Sequence, residues 1–117
     1  MAWNGSTETA RALSAARPLL ARSEAVRGLS VDGGMVSGPD VDMITAHLSA
    51  SGFHAHSKTA DSAGATVGQT IVSEAKDFGA DLIIKGAFTH SRLRQLVFGG
   101  PTSEIFNHAV CPVILCH

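Results

Sequence analysis

Residues 80–117 read ADLIIKGAFTHSRLRQLVFGGPTSEIFNHAVCPVILCH. Leu82-Ile83-Ile84 is a short, unbroken apolar run, the pattern of a central strand buried on both faces. Pro112-Val113-Ile114-Leu115 is a second run of the same kind. Between them Pro101 stands at the first position of a helix over 101–109, where its missing N–H costs nothing. Strand, connection, helix, strand is the repeating unit of a parallel α/β sheet.

The rest of the chain extends this alternation. Residues 1–3 (Met-Ala-Trp) form the stub of a strand. Asn4-Gly5-Ser6 is turn chemistry that also offers helix N-caps. A helix over 7–22 follows, with Leu13, Ala16 and Leu20 on one face; Pro18 predicts a kink or local break in it. Residues 25–31 (AVRGLSV) read as a strand closed by Asp32-Gly33-Gly34. Gly38-Pro39-Asp40 opens a second helix carrying Val41, Ile44 and Leu48, and Gly52 stops it. Residues 53–58 alternate Phe, Ala and Ser with His, His and Lys, as a half-exposed strand does. A third helix over about 64–78 shows Val67, Ile71, Ala75 and Phe78 as a stripe, with Gly79 as its C-cap. Five strands then alternate with four helices along the chain. The fold class is α/β: an open parallel sheet with helices on both faces.

Composition narrows the function classes. At 117 residues the chain suits one domain with one core and needs no staples. Hydrophobic residues make up 44% and charged residues 16%, which places it among globular chains and away from disorder. No apolar run approaches the ~18–20 residues of a membrane helix, and no secretory signal is visible. The net charge of −1 gives no broad field for nucleic acid or anionic lipid. Cys111 and Cys116, five apart on one extended run, would stand roughly 16 Å from each other and cannot bridge. They read as buried thiols in a reducing, cytoplasmic compartment.

In an open α/β sheet, ligands bind at the carboxyl ends of strands where the order reverses. The candidate crevice lies between the first and fourth strands, beside Asn4 and Gly86. The connection over 86–100 is long for an α/β unit, and long ordered loops are often functional. Gly86 leaves the strand without a side chain, so a ligand can approach the backbone. Gly99-Gly100 leads into a helix N-terminus, whose free N–H groups and dipole attract phosphate. Thr102 and Ser103 add hydroxyls; His90, Arg92 and Arg94 add positive charge.

Other constellations carry less. His54 and His56 share a strand face at a spacing metals use, but no third ligand accompanies them. Cys116-His117 reads as an adventitious metal pair at most. Asp32 stands where Rossmann proteins hold ribose, yet Asn4-Gly5-Ser6 is not G-x-G-x-x-G. There is no G-x-S-x-G elbow and no Walker loop. Lys85 follows the fourth strand as a receiver lysine would, but Asn4 and Thr59 replace the acidic residues a receiver needs. His108 reads as a packing or solvent-facing residue. No residue is placed as a general base, so the expectation is a protein that is not an enzyme and holds no metal.

Residues 80–117, together with the opening AWNGSTETARALSAARPLL, resemble the universal stress protein family over nearly the whole chain. The His-Ser-Arg-Leu-Arg stretch and double glycine are most similar to the second domain of tandem members. The resemblance implies a Rossmann-like, adenine-nucleotide alpha-hydrolase-like sheet of five parallel strands in the order 3-2-1-4-5, as a single domain over 1–117. The three-residue first strand is short for that family, which reads as a fragment of a tandem protein or a start assigned late. The resemblance also implies a homodimer or tandem pair through the last strand, with Val113, Ile114 and Leu115 at the contact. An exposed apolar edge calls for such cover on physical grounds.

Nucleotide-binding members of that family carry an acidic residue after the first strand and a loop of the form G-x2-G-x9-G-(S/T). Here those positions hold Asn4, then Gly86, Thr89, Gly99 and Gly100. Asn4 removes a charge. Thr89 puts a Cβ where a positive φ costs about 1 kcal/mol or more. Gly100 lacks the hydroxyl, and Pro101 lacks an N–H. The implied cofactor is ATP or AMP, held weakly by Asn4, Gly86, Thr89, Gly99, Gly100 and Thr102. The implied function is a non-enzymatic regulatory or assembly module in stress response with a degenerate nucleotide site. The alternative is an ATP/AMP-binding switch using the same loop.

Overall fold

The computed structural model describes residues 1–87 and 100–117. In chain order the elements are α1 (Thr7–Leu20), β1 (Val26–Val31), α2 (Val41–Ala50), β2 (Ala55–Ala60), α3 (Val67–Phe78), β3 (Ile83–Gly86), α4 (Pro101–His108) and β4 (Val113–Cys116). β1 pairs with β2 in parallel, from Val26↔Ala55 to Val31↔Ala60. β3 pairs with β4 in parallel, from Ile83↔Val113 to Gly86↔Cys116.

The expected first strand is shorter than a strand. Ala2 alone makes a parallel bridge to Leu29 of β1 and another to Lys85 of β3. The bonds run from Ala2 N–H to the Ile84 carbonyl, from Trp3 N–H to the Leu29 carbonyl, and from Leu29 N–H to the Met1 carbonyl. The named strands among the described residues are therefore four, in two parallel pairs, with residues 1–3 bonded to both. Three residues supply too few ladder bonds to count as a strand of their own.

Alternation of side chains puts helices on both faces. One core joins Trp3, Val26, Ala55 and Ile84 to Ala12, Leu13, Ala16 and Leu20 of α1 and to Val41 and Leu48 of α2. The other joins Ala2, Leu29, Val31 and Ala60 to Ile71 of α3 and Ile105 of α4. Trp3 is buried and its indole N–H donates to the Pro39 carbonyl at 2.8 Å. Gly28 of β1 lets α2 close down: a Cβ there would run into Thr45 and Val41.

Several boundaries follow their signals. Ser6, Asp40 and Thr66 cap α1, α2 and α3 with their side chains, and Gly79 ends α3 at φ 70°. Pro101 opens α4 as expected. Helix α1 runs through Pro18 to Leu20 without a break, although the proline has no N–H to donate to the carbonyl four residues back. β2 lies two residues later than the alternation placed it. Its four middle residues are exposed and only Ala55 and Ala60 are buried, so the pattern carries little register information. Cys111 precedes β4, and both cysteines are free and half-buried, not buried.

Candidate functional site

The segment after Ala2 and Trp3 turns directly into α1. The Asn4 carbonyl accepts from Val36 N–H at 2.9 Å. Its side-chain Oδ1 accepts from Ser6 N–H at 3.2 Å, from Ser6 Oγ at 2.7 Å and from Thr9 Oγ1 at 2.6 Å. Ser6 Oγ in turn accepts from Thr9 N–H at 3.2 Å, the N-cap bond of α1. The first turn of a helix leaves its N–H groups without intrahelical partners. Here Asn4 and Ser6 take up that role together, and the Asn4 oxygen is the centre of the cluster.

Thr9 also reaches β3. A Cβ on Gly86 would stand 2.6 Å from Thr9 Oγ1 and 2.8 Å from the Glu8 carbonyl carbon. On this face the missing side chain of Gly86 admits the first turn of α1, where the sequence reading expected a ligand. Close packing of helix on strand is the physical reason glycine stands there.

Lys85 is directed to the other face. Its Nζ donates to the Gly86 carbonyl at 2.7 Å and to Thr102 Oγ1 at 3.2 Å. Burial lowers its pKa from 10.5 to about 8. Among the described residues no carboxylate forms an ion pair with it. Thr102 is buried in the first turn of α4, behind Pro101; Ser103 is exposed. Gly100 is the N-cap of α4 and makes no side-chain capping bond. Glu104, also in that turn, is turned aside to accept from Thr66 Oγ1 of the α3 cap at 2.6 Å. A half-buried ammonium beside a hydroxyl and a helix start is a setting that favours an anion.

The structure thus links three of the expected residues in one line: Asn4 to Thr9, Thr9 to Gly86, and Gly86 through Lys85 to Thr102; a fourth, Gly100, stands two residues before Thr102. Thr89 and Gly99, with His90, Arg92 and Arg94, lie outside the described residues. Lys85 was missed as a member of the site. Its signal was a lone lysine at the end of an apolar strand, directly before Gly86. His54 and His56 are both exposed, and no group of three metal-ligating side chains occurs among the described residues. No helix among them is long and apolar enough to cross a membrane.

Comparison with known proteins bears on this arrangement. A universal stress protein from Archaeoglobus fulgidus superposes with a TM-score of 0.71 at 22% identity, covering 99% of this chain and 95% of that one. A second, from Archaeoglobus fulgidus DSM 4304, gives 0.74 at 15% identity, covering 98% of this chain; the match spans only 42% of that longer chain. A universal stress protein solved in complex with cAMP gives 0.73 at 15% identity, covering 100% of this chain and 94% of that one. Identities this low speak to the fold alone. A search of curated proteins finds no match. The profile of the universal stress protein family matches residues 6–117, from the N-cap of α1 through β4, and the chain belongs to that family.

Proposed function

We propose that this chain is a non-enzymatic regulatory and assembly module of the stress response whose nucleotide site is degenerate. The observation that carries this reading is the commitment of Asn4: its Oδ1 already accepts three hydrogen bonds from the start of α1. An oxygen so engaged, uncharged, gives a ribose or adenine little to bind. The module reading takes residues 1–3 as the middle strand of a five-stranded order 3-2-1-4-5, and places the protein in the cytoplasm. It takes β4, with half-buried Val113, Ile114 and Leu115, as the contact in a homodimer or with a tandem partner domain.

A second reading, an ATP- or AMP-responsive switch, is favoured by Lys85. That ammonium sits between Gly86 and Thr102 without a carboxylate, and a structural neighbour has been solved with cAMP. Calorimetric titration of ATP and AMP into the protein and into Lys85→Met separates the two. No binding at millimolar nucleotide supports the module. Micromolar binding that Lys85→Met abolishes overturns the degenerate site and installs the switch.

A further inference from the structure

The connection from β1 to α2, residues 32–40, crosses the carboxyl end of the sheet from the α3 face to the α2 face. On the first face a Cβ on Gly34 would stand 3.0 Å from Val67 at the start of α3. The segment then passes over the turn that follows Trp3, where Val36 N–H donates to the Asn4 carbonyl at 2.9 Å. A Cβ on Gly5 would stand 2.9 Å from the Val36 carbonyl oxygen, and one on Gly38 would run into the Gly5 carbonyl. On the second face the Pro39 carbonyl accepts from the Trp3 indole at 2.8 Å. Gly5 is buried beneath this strap, while Met35, Ser37, Gly38 and Pro39 are exposed on top of it.

Firm ends hold a lightly tied middle. Asp32 N–H donates to the Ala60 carbonyl of β2, and the Asp40 side chain caps α2 through Met43 N–H. Over residues 35–39, among the described residues, two hydrogen bonds tie the strap to the body: those from Val36 N–H and from the Trp3 indole. Gly33 stands at φ 80°, where an added Cβ would meet nothing, and Gly38 at φ 159°. Glycines free to change φ at both ends of a short segment are what a hinge needs. An exposed segment with few bonds opens at far smaller cost than the sheet beneath it.

We propose that residues 33–39 are a lid over the Asn4 turn, and that an adenine nucleotide enters the crevice there only when the lid lifts. This rests on the reading, shared by both functions above, that the nucleotide site lies beside Asn4. Closed, the lid occupies the Asn4 carbonyl with Val36 N–H and covers Gly5. Open, it frees that carbonyl to accept from the amino group of adenine. The apparent affinity is then the intrinsic affinity scaled by the fraction of molecules that are open. Anything that loosens the lid strengthens binding by the same factor that it raises that fraction.

The test compares the unaltered protein with two variants. Gly38→Ala sets a methyl group against the Gly5 carbonyl, and Trp3→Phe removes the indole donor while keeping a ring in the core. Amide hydrogen exchange at Val36, taken relative to exchange in β1 so that a general loss of stability cancels, reads the opening. Calorimetric titration of ATP reads the binding. Each variant should speed exchange at Val36 about fivefold or more, and ATP affinity should rise by the same factor. Faster exchange with unchanged ATP affinity overturns the lid and leaves the nucleotide site standing. Exchange at Val36 that neither variant speeds shows a segment without hinges and overturns the lid as well. Faster exchange with no ATP binding to any of the three proteins overturns the nucleotide site itself, and the lid falls with it.

Discussion

Thr9 covers Gly86: a Cβ on that glycine would stand 2.6 Å from the Thr9 hydroxyl oxygen. The N-terminal turn of α1 and the carboxyl end of β3 are held together by the absence of one methyl group. Gly86→Ala must push α1 away or distort β3. The expected cost is about 1–3 kcal/mol, the range for overpacking a close contact. Urea denaturation of the variant reads it directly; an unchanged midpoint would show that α1 moves freely.

Asn4 anchors the same turn through its side-chain oxygen. Asn4→Ala leaves Ser6 N–H, Ser6 Oγ and Thr9 Oγ1 without that acceptor, and should destabilise the protein by about 1–3 kcal/mol. Asn4→Asp keeps the acceptor and adds a negative charge at a helix N-terminus, which favours it. Those bonds hold the folded carboxyl below its unfolded pKa of about 3.9. The advantage is then full above that value and is lost as pH falls through the folded pKa. Thermal melts of both variants near neutral pH and again below about pH 4 would show the split.

This cluster marks the limit of what the sequence makes legible. Asn4-Gly5-Ser6 announces a turn and a cap, and Ser6 is that cap. The three bonds to the Asn4 oxygen all come from within five residues and belong to the local turn; that Thr9 also lies against Gly86 is a tertiary fact with no local signature. α3 shows the same division. Its apolar stripe is plain, but it starts at Val67, capped by Thr66, after a turn at Ala63 and Gly64 with positive φ, and not at residue 64. β2 was displaced because exposure of its whole middle erases the period of two that fixes a strand's register. Lys85 escaped because strand periodicity alone gives no reason for a lysine to reach a threonine on a helix 17 positions later.

The last strand bears on assembly. Among the described residues, half-buried Leu115, unlike Val113, Ile114 and Cys116, packs with neither core. If β4 is the contact between copies, Leu115→Lys should convert a dimer to a monomer in sedimentation velocity. Its unfolding free energy at low protein concentration should change by no more than about 0.5 kcal/mol, as at surface sites. A dimer that survives the change would move the contact elsewhere.

Lys85 gives the pH dependence a sign. Its folded pKa of about 8 lies below the unfolded 10.5 because burial disfavours the ammonium. Below about pH 8 both states carry the proton, and the folded protein bears the full cost of a half-buried charge. Between about 8 and 10.5 the unfolded state holds more protons, so stability rises with pH; above that range both states are neutral and the cost is gone. Lys85→Met should flatten this rise and stabilise the protein near pH 7 by about 1 kcal/mol or more. An anion bound beside Thr102 acts in the opposite sense, since it favours the ammonium and raises the folded pKa. Melts across this range, with and without inorganic phosphate, therefore read both effects. A rise that moves to higher pH with phosphate, and only while Lys85 is present, places the anion on that side chain. A rise that ignores phosphate leaves Lys85 as a buried cation whose bonds to Gly86 and Thr102 serve the fold alone.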